Sequence, residues 1–233
     1  MSEETVTRTE QFVREYMGRY DCSHDWQHVR RVVDQALALA KAESARGPVD
    51  MLVVQLAALL HDVDDAKYKS CSDAPFSVAN FLADAGLDSD RAVIVARIVD
   101  AVSFRKELQC LESGSEAERA WRSGCVELAC VQDADRLDAI GAFGILRCAA
   151  FSGARNRPLH ILDDTSSSAA MTYSEYIDKG SGSSAVAHFH EKLLRLAAMM
   201  KTEHGRREAQ RRHKFLLRFL EQVDSELGFG AGS

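Results

Sequence analysis

At 233 residues the chain is long enough to bury a sizeable core without disulfide support, and its 46% hydrophobic and 27% charged residues argue against disorder of the body. A net charge of −6 argues against broad binding of nucleic acid or an acidic membrane, either of which needs lysine and arginine in excess over one face. The six cysteines form no C-x-x-C pair and follow no secretory leader, so they read as reduced thiols in a soluble, cytoplasmic protein.

Three prolines and few aromatic residues lean towards helix. Val6, Phe12, Val13 and Met17 predict a short amphipathic helix over residues 5–20. After a polar break at 21–25, Val29, Val32, Val33, Ala36, Leu37 and Ala40 recur at helical spacing, with Asp25 as the expected N-cap. Gly47-Pro48 ends that element. Residues 49–60 then run apolar almost all round, as a helix does when buried on every side, yet fall far short of the ~20 residues of a membrane span. Helical patterns follow at 76–85 and 89–102, with Gly86 and Ser89-Asp90 as cap signals.

Residues 104–124 are charged and irregular and predict a surface excursion with one helical turn around 116–121. Residues 125–151 have the composition of a long helix. The stretch 153–184, with serine runs, reads as an extended loop of the kind that serves as a lid. Two helices, or one long bent one, fit residues 185–227. The expectation is an all-α fold: one helical bundle domain over residues 1–233, with no repeat and no second domain.

Four side chains have the chemistry of a metal site: His28 on the second helix, His61 and Asp62 at the end of the apolar one, and Asp135 on a later one. Imidazole nitrogen and carboxylate oxygen suit a borderline or hard divalent ion, and fewer than six protein ligands leave room for water and substrate. Burying a histidine or an aspartate alone is costly, and a metal would offset that cost. An isolated His-Asp pair is better explained structurally, with the histidine neutralising a helix C-terminus and the aspartate facing water. On a helix Asp138 shares a face with Asp135, whereas Asp133 points elsewhere. His24 and His28 stand at H-x-x-x-H spacing, but Asp25 occupies the place where a zinc protease needs glutamate.

Three segments change the weighing of His61-Asp62. Residues 23–32 (SHDWQHVRRV), 59–65 (LLHDVDD) and 133–138 (DADRLD) resemble, in order, the signature segments of the HD-domain superfamily of metal-dependent phosphohydrolases. His28, His61, Asp62 and Asp135 match its four ligands. Residues 131–142 (VQDADRLDAIGA) and 188–194 (HFHEKLL) are similar almost letter for letter to the branch that includes the YpgQ-like nucleoside-triphosphate pyrophosphohydrolases. The resemblance spans roughly residues 10 to 225.

It implies one divalent ion, manganese or magnesium, that binds phosphate oxygens and polarises a water for attack on phosphorus. The extra histidines that hold a second metal in some HD branches have no match here. Asp65, matched in this branch, would orient or deprotonate the water alongside Asp62, whereas Asp64 reads as an exposed loop acid. His24 reads as a substrate contact or a support for His28, with a purely structural histidine as the alternative. Asp138 reads as a support near the site, against an ordinary surface acid. Lys67, Arg105, Arg136 and Lys192 are candidate phosphate partners, each of which alone would also suit a solvated surface. Arg155, with Arg157, could reach a triphosphate from the lid or simply be solvated.

The resemblance therefore implies hydrolysis of a nucleoside or deoxynucleoside triphosphate to monophosphate and pyrophosphate. A nucleotide phosphomonoesterase or phosphodiesterase would use the same ligands. A non-catalytic nucleotide-binding module predicts a lost ligand, and none is lost. Base and sugar preference, and whether the protein forms a homodimer, stay open.

Overall fold

A computed structural model describes residues 2–63, 76–161 and 184–228. Among these residues every regular element is helical, as the all-α expectation requires. The chain groups into two compact units, Met1–Asp135 and Arg136–Ser233, and the division falls inside a continuous helix.

The first unit is organised by α3 (Met51–Leu60). Val53, Val54, Leu56, Ala57, Ala58, Leu59 and Leu60 are all buried, so beyond the first turn of this short helix only Gln55 is partly exposed. It packs against α1 (Ser2–Met17), α2 (Trp26–Glu43) and α5 (Ser89–Ala101). Burying a leucine side chain contributes ~1.5–3 kcal/mol, which makes α3 the chief apolar contributor for its length. Asp50 starts it by accepting from the Leu52 and Val53 amides at 3.1 and 3.2 Å, and Arg91 on α5 binds the same carboxylate at 2.7 Å. One aspartate thus caps α3 and fastens it to α5.

The second helix begins as expected, with the Asp25 side chain accepting from the His28 amide at 2.9 Å. Its buried stripe, His28, Val29, Val32, Val33, Ala36, Leu39 and Ala40, recurs at three- and four-residue intervals and lies against α3. That register puts His28 on the face that meets α3. The next pair, α4 (Val78–Asp84) and α5, pack on each other, with Gly86 at φ +86° ending α4. The cap of α5 is Asp88, one residue before the expected Ser89-Asp90 signal, because its carboxylate reaches the Arg91 amide at 3.0 Å.

Residues 104–124 are not an irregular excursion. They form α6 (Phe104–Ser113) and α7 (Glu116–Gly124), each started by a serine hydroxyl, Ser103 on the Lys106 amide and Ser115 on the Glu118 amide. The buried face of α6 carries Glu107 between Phe104 and Cys110, and Gln132 donates to Glu107 at 3.3 Å. A charged residue on the buried face is what hid the helical period.

Residues 125–151 are likewise not one helix but two, α8 (Val126–Asp138) and α9 (Gly141–Ala154). Within the second unit, Gly141 adopts φ +77° beside Arg212, which donates to the Leu137 carbonyl at 2.5 Å. The C-terminal pattern resolves as α10 (Ala185–His188), a π turn (Phe189–Leu193), α11 (Leu194–Leu196), a 3₁₀ turn (Ala197–Met199) and α12 (Glu203–Gly228). Residues 162–183, most of the expected lid, lie outside the described residues. Among the described residues no single helix is long and apolar enough to cross a membrane.

A β-carbon at Gly141 would have to hold a left-handed backbone angle and would sit 3.1 Å from Arg212 Cγ. Gly141→Ala is therefore expected to lower stability by ~1–2 kcal/mol, read as a lower urea midpoint at unchanged slope.

Candidate metal centre

The first unit brings His28, His61, Asp62 and Asp135 together. His28 comes from the first turn of α2, His61 and Asp62 from the end of α3, and Asp135 from α8. His28 Nε2 lies 3.2 Å from His61 Nε2. Asp62 Oδ2 lies 3.2 Å from the first nitrogen and 3.4 Å from the second. Asp135 Oδ1 is 3.8 Å from both. The two imidazoles are buried, while the Asp135 side chain is 31% exposed and marks the open side.

These donors fit a divalent cation on three grounds. Atoms held ~2.1 Å from a common ion at angles near 90–110° stand ~3.0–3.5 Å apart, close to the distances seen. His61 Nδ1 lies 2.8 Å from the Ala58 carbonyl, which can only accept, so Nδ1 carries a proton and the lone pair of the neutral ring is at Nε2, facing the cluster. Asp62 Oδ2 is buried and makes no well-directed hydrogen bond, although both nitrogens are near it. A buried carboxylate oxygen without a directed partner is costly, and a cation among these four atoms removes that cost.

The electrostatics of the four side chains agree. Burial alone would depress the His61 pKa, but Asp62, aided by Asp135 and the Ala58 carbonyl, outweighs it and raises it to about 9. Burial would raise the Asp62 carboxyl, and the two histidines instead hold it well below the usual carboxylate range. The cluster attracts positive charge, whether a proton or a metal ion supplies it.

The other expected residues are placed as follows. Asp65 and Lys67 lie outside the described residues. His24 is half-buried, with its ring centroid 5.8 Å from that of His28. Arg105 is exposed on α6. In the second unit, Asp138 is buried and paired with Arg147 at 3.2 Å, so it is not a surface acid. Arg136 is buried too and donates to the Met199 carbonyl at 2.9 Å, and burial lowers its pKa to about 10. Arg155 lies 3.8 Å above the Phe151 ring, and Lys192 is half-buried in the π turn.

Two residues of this region went unread in the sequence. Asp21 accepts from both the amide and the hydroxyl of Ser23, and that hydroxyl stands 2.7 Å from His24 Nδ1. An aspartate two residues before a serine is a signal for such a turn, and only the adjacent histidine makes it more than that.

An all-helical unit that collects a histidine, a His-Asp pair and a later aspartate around one point defines a class, the HD domain, and the chain matches that domain over residues 25–140. It is also 36% identical to protein YpgQ of Bacillus subtilis (strain 168) over 205 residues, 88% of this chain and 84% of that one. The crystal structure of Bacillus subtilis YpgQ in complex with ADP superposes with a TM-score of 0.71 and 32% identity, covering 96% of this chain and 98% of that one. An HD-superfamily hydrolase from Bacillus thuringiensis gives a TM-score of 0.65 at 27% identity, covering 98% and 100%. The chain belongs to the HD-domain family and is an HD-superfamily hydrolase.

Because the raised His61 pKa means that a proton competes for the metal-facing lone pair, apparent affinity for manganese should rise with pH until about 9 and then level off. The same group has the opposite effect on the stability of the protein freed of metal. Its folded pKa lies above its unfolded value, so its contribution is complete below about 6.5 and is lost as pH rises through about 9. Isothermal titration and thermal melts across pH 6 to 10 check both signs, and His61→Ala should abolish both dependences.

Proposed function

We propose that the protein hydrolyses nucleoside or deoxynucleoside triphosphates to the monophosphate and pyrophosphate with one divalent ion, manganese or magnesium. The observation that carries this reading is the His28, His61, Asp62 and Asp135 cluster, with its converging nitrogen and oxygen atoms and its buried Asp62 oxygen. Support for a nucleotide comes from YpgQ, which was crystallised with ADP, and from the resemblance of the strings at 131–142 and 188–194 to the YpgQ-like branch.

Two neutral imidazoles and two carboxylates balance the charge of one divalent ion and leave coordination positions for water and phosphate. When bound, such an ion withdraws charge from phosphate oxygens and makes a bound water more acidic. The water oxygen bonds to the α-phosphorus as the bond to the bridging oxygen breaks, and pyrophosphate leaves with that electron pair. Asp65 is assigned to take the water proton. Asp62 would keep its negative charge as a ligand, because a divalent ion beside it would favour the carboxylate over the acid. Lys67, Arg105, Arg155 and Lys192 are the candidate cations for the phosphate chain.

Purified protein incubated with manganese and a panel of nucleotides, with pyrophosphate and orthophosphate measured separately, tests the reading. Pyrophosphate from triphosphates is expected. Orthophosphate alone would transfer the protein to the phosphomonoesterases, and neither product from any nucleotide would remove both of these readings and leave the phosphodiesterase one. Asp62→Ala and His61→Ala should lose both turnover and bound metal while keeping the helical circular dichroism.

Asp65→Asn separates water handling from metal holding. It should keep bound manganese and lower kcat by ~10²–10⁴-fold. Metal loss in this variant would place Asp65 among the ligands instead.

A further inference from the structure

Helix α8 meets α3 at both ends. Glu127, in the first turn of α8, accepts from the Asp50 amide at 3.0 Å, at the start of α3. Asp135, in the last turn of α8, stands 3.8 Å from the His61 nitrogen, at the end of α3. The two helices therefore run side by side in the same direction. Gln132 makes a second tie. Its Nε2 group is shared among the Ala101 carbonyl at 3.1 Å, the Val102 carbonyl at 3.3 Å and Glu107 Oε2 at 3.3 Å. The two carbonyls lie at the C-terminal end of α5, where no later residue of the helix can satisfy them.

The orientation of that amide is forced. Backbone carbonyls only accept, so the nitrogen and not the oxygen must face them. Gln132 is 1% exposed, and its Oε1 meets no hydrogen-bond partner among the described residues. The polar contacts of Gln132 thus lie on the nitrogen side, and they join α8 to α5, which itself packs on α3.

Apolar burial alone does not fix where Asp135 stands. Leu128, Cys130, Val131 and Ala134 are buried and choose the face of α8 that turns inward. Burial is non-directional, however, and tolerates a slide along the helix axis. Hydrogen bonds resist it, because they weaken steeply with poor distance and angle. A slide by one residue amounts to ~1.5 Å. Asp135 is 3.8 Å from each histidine nitrogen, against 3.2 and 3.4 Å for Asp62, so it has the least room for such a shift.

We propose that Glu127 and Gln132 are positioning residues that fix the register of α8 against α3 and α5, and with it the distance at which the Asp135 carboxylate faces the two histidines. The consequence for metal rests on the reading of the four donors as a metal site; the register rests on the two ties alone.

A double-mutant cycle on manganese affinity, measured by isothermal titration, tests the link to Asp135. Gln132→Met, which keeps the bulk and removes the donor, and Glu127→Ala should each weaken manganese binding ~10-fold. Glu127→Gln keeps an oxygen for the Asp50 amide and should bind nearly as wild type does. In an Asp135→Asn background the same two losses should shrink to little or nothing, because residues that act through Asp135 have nothing left to act on. Equal losses in both backgrounds, or no loss in the first, overturn the proposal. Metal-free crystal structures give the second readout. Asp135 Oδ1 should stand farther from both imidazole nitrogens in Gln132→Met and Glu127→Ala, by up to ~1.5 Å, and an unmoved Asp135 overturns the proposal as well. Should Gln132→Met not fold, because it strips a donor from two buried carbonyls, Glu127→Ala carries both readouts at a half-buried position. If wild type binds no manganese, the metal reading fails, while the metal-free structures still decide the register.

Discussion

The C-terminus of a helix buried on every side is a difficult place for polar groups, and α3 ends there with His61 and Asp62. The last carbonyls of a helix carry partial negative charge, and Asp62 adds a full one. Both the helix end and the carboxylate therefore favour a cation, and so does the His61 lone pair that faces them. Ala58, one turn back, uses its carbonyl to hold the far side of the His61 ring. A single turn of backbone thus sets both the charge of the site and the orientation of one donor.

Other features of the first unit serve to bring two more donors to this point. The Asp25 cap fixes where α2 begins, and the valine and alanine stripe behind it fixes which face meets α3. His28 follows from both. Ala36 and Ala40 on α2 and Ala57 and Ala58 on α3 are all buried, and side chains this small suit closely packed helices. Asp135 arrives on a helix whose neighbouring residues Val131, Ala134 and Leu137 are buried, so its place is set by apolar packing, with the carboxylate partly open to solvent.

How far such a site is legible in a sequence depends on whether the signal is local. Asp25, the α3 run and the His28, His61, Asp62 and Asp135 set are carried by spacing and residue type, and the structure brings those four side chains together. Helix α6 is hidden because its few buried positions include a charge; α7 extends the helical turn expected at 116–121 but buries no residue that would set a period, and the α8–α9 break is hidden because Gly141 lies within an otherwise helical composition. The buried Asp138–Arg147 pair joins residues nine positions apart across that break, which no helical wheel displays. The Asp21, Ser23 and His24 chain was unread for a different reason. Each residue is ordinary in a turn, and only their hydrogen bonds to one another set the group apart.

The balance of charge explains how the four donors coexist in one folded chain. Two carboxylates, each with an oxygen within 4 Å of both imidazoles, crowd lone pairs and negative charge together unless something positive lies among them. The raised His61 pKa shows that a proton can take that place. A proton, however, neutralises one charge where two are present, and it sits on one atom rather than between four. A divalent ion satisfies both carboxylates and both nitrogens at once, including the Asp62 oxygen that no directed hydrogen bond reaches. Proton and metal are thus alternative occupants of one electrostatic well, and the difference between them lies in geometry as much as in charge.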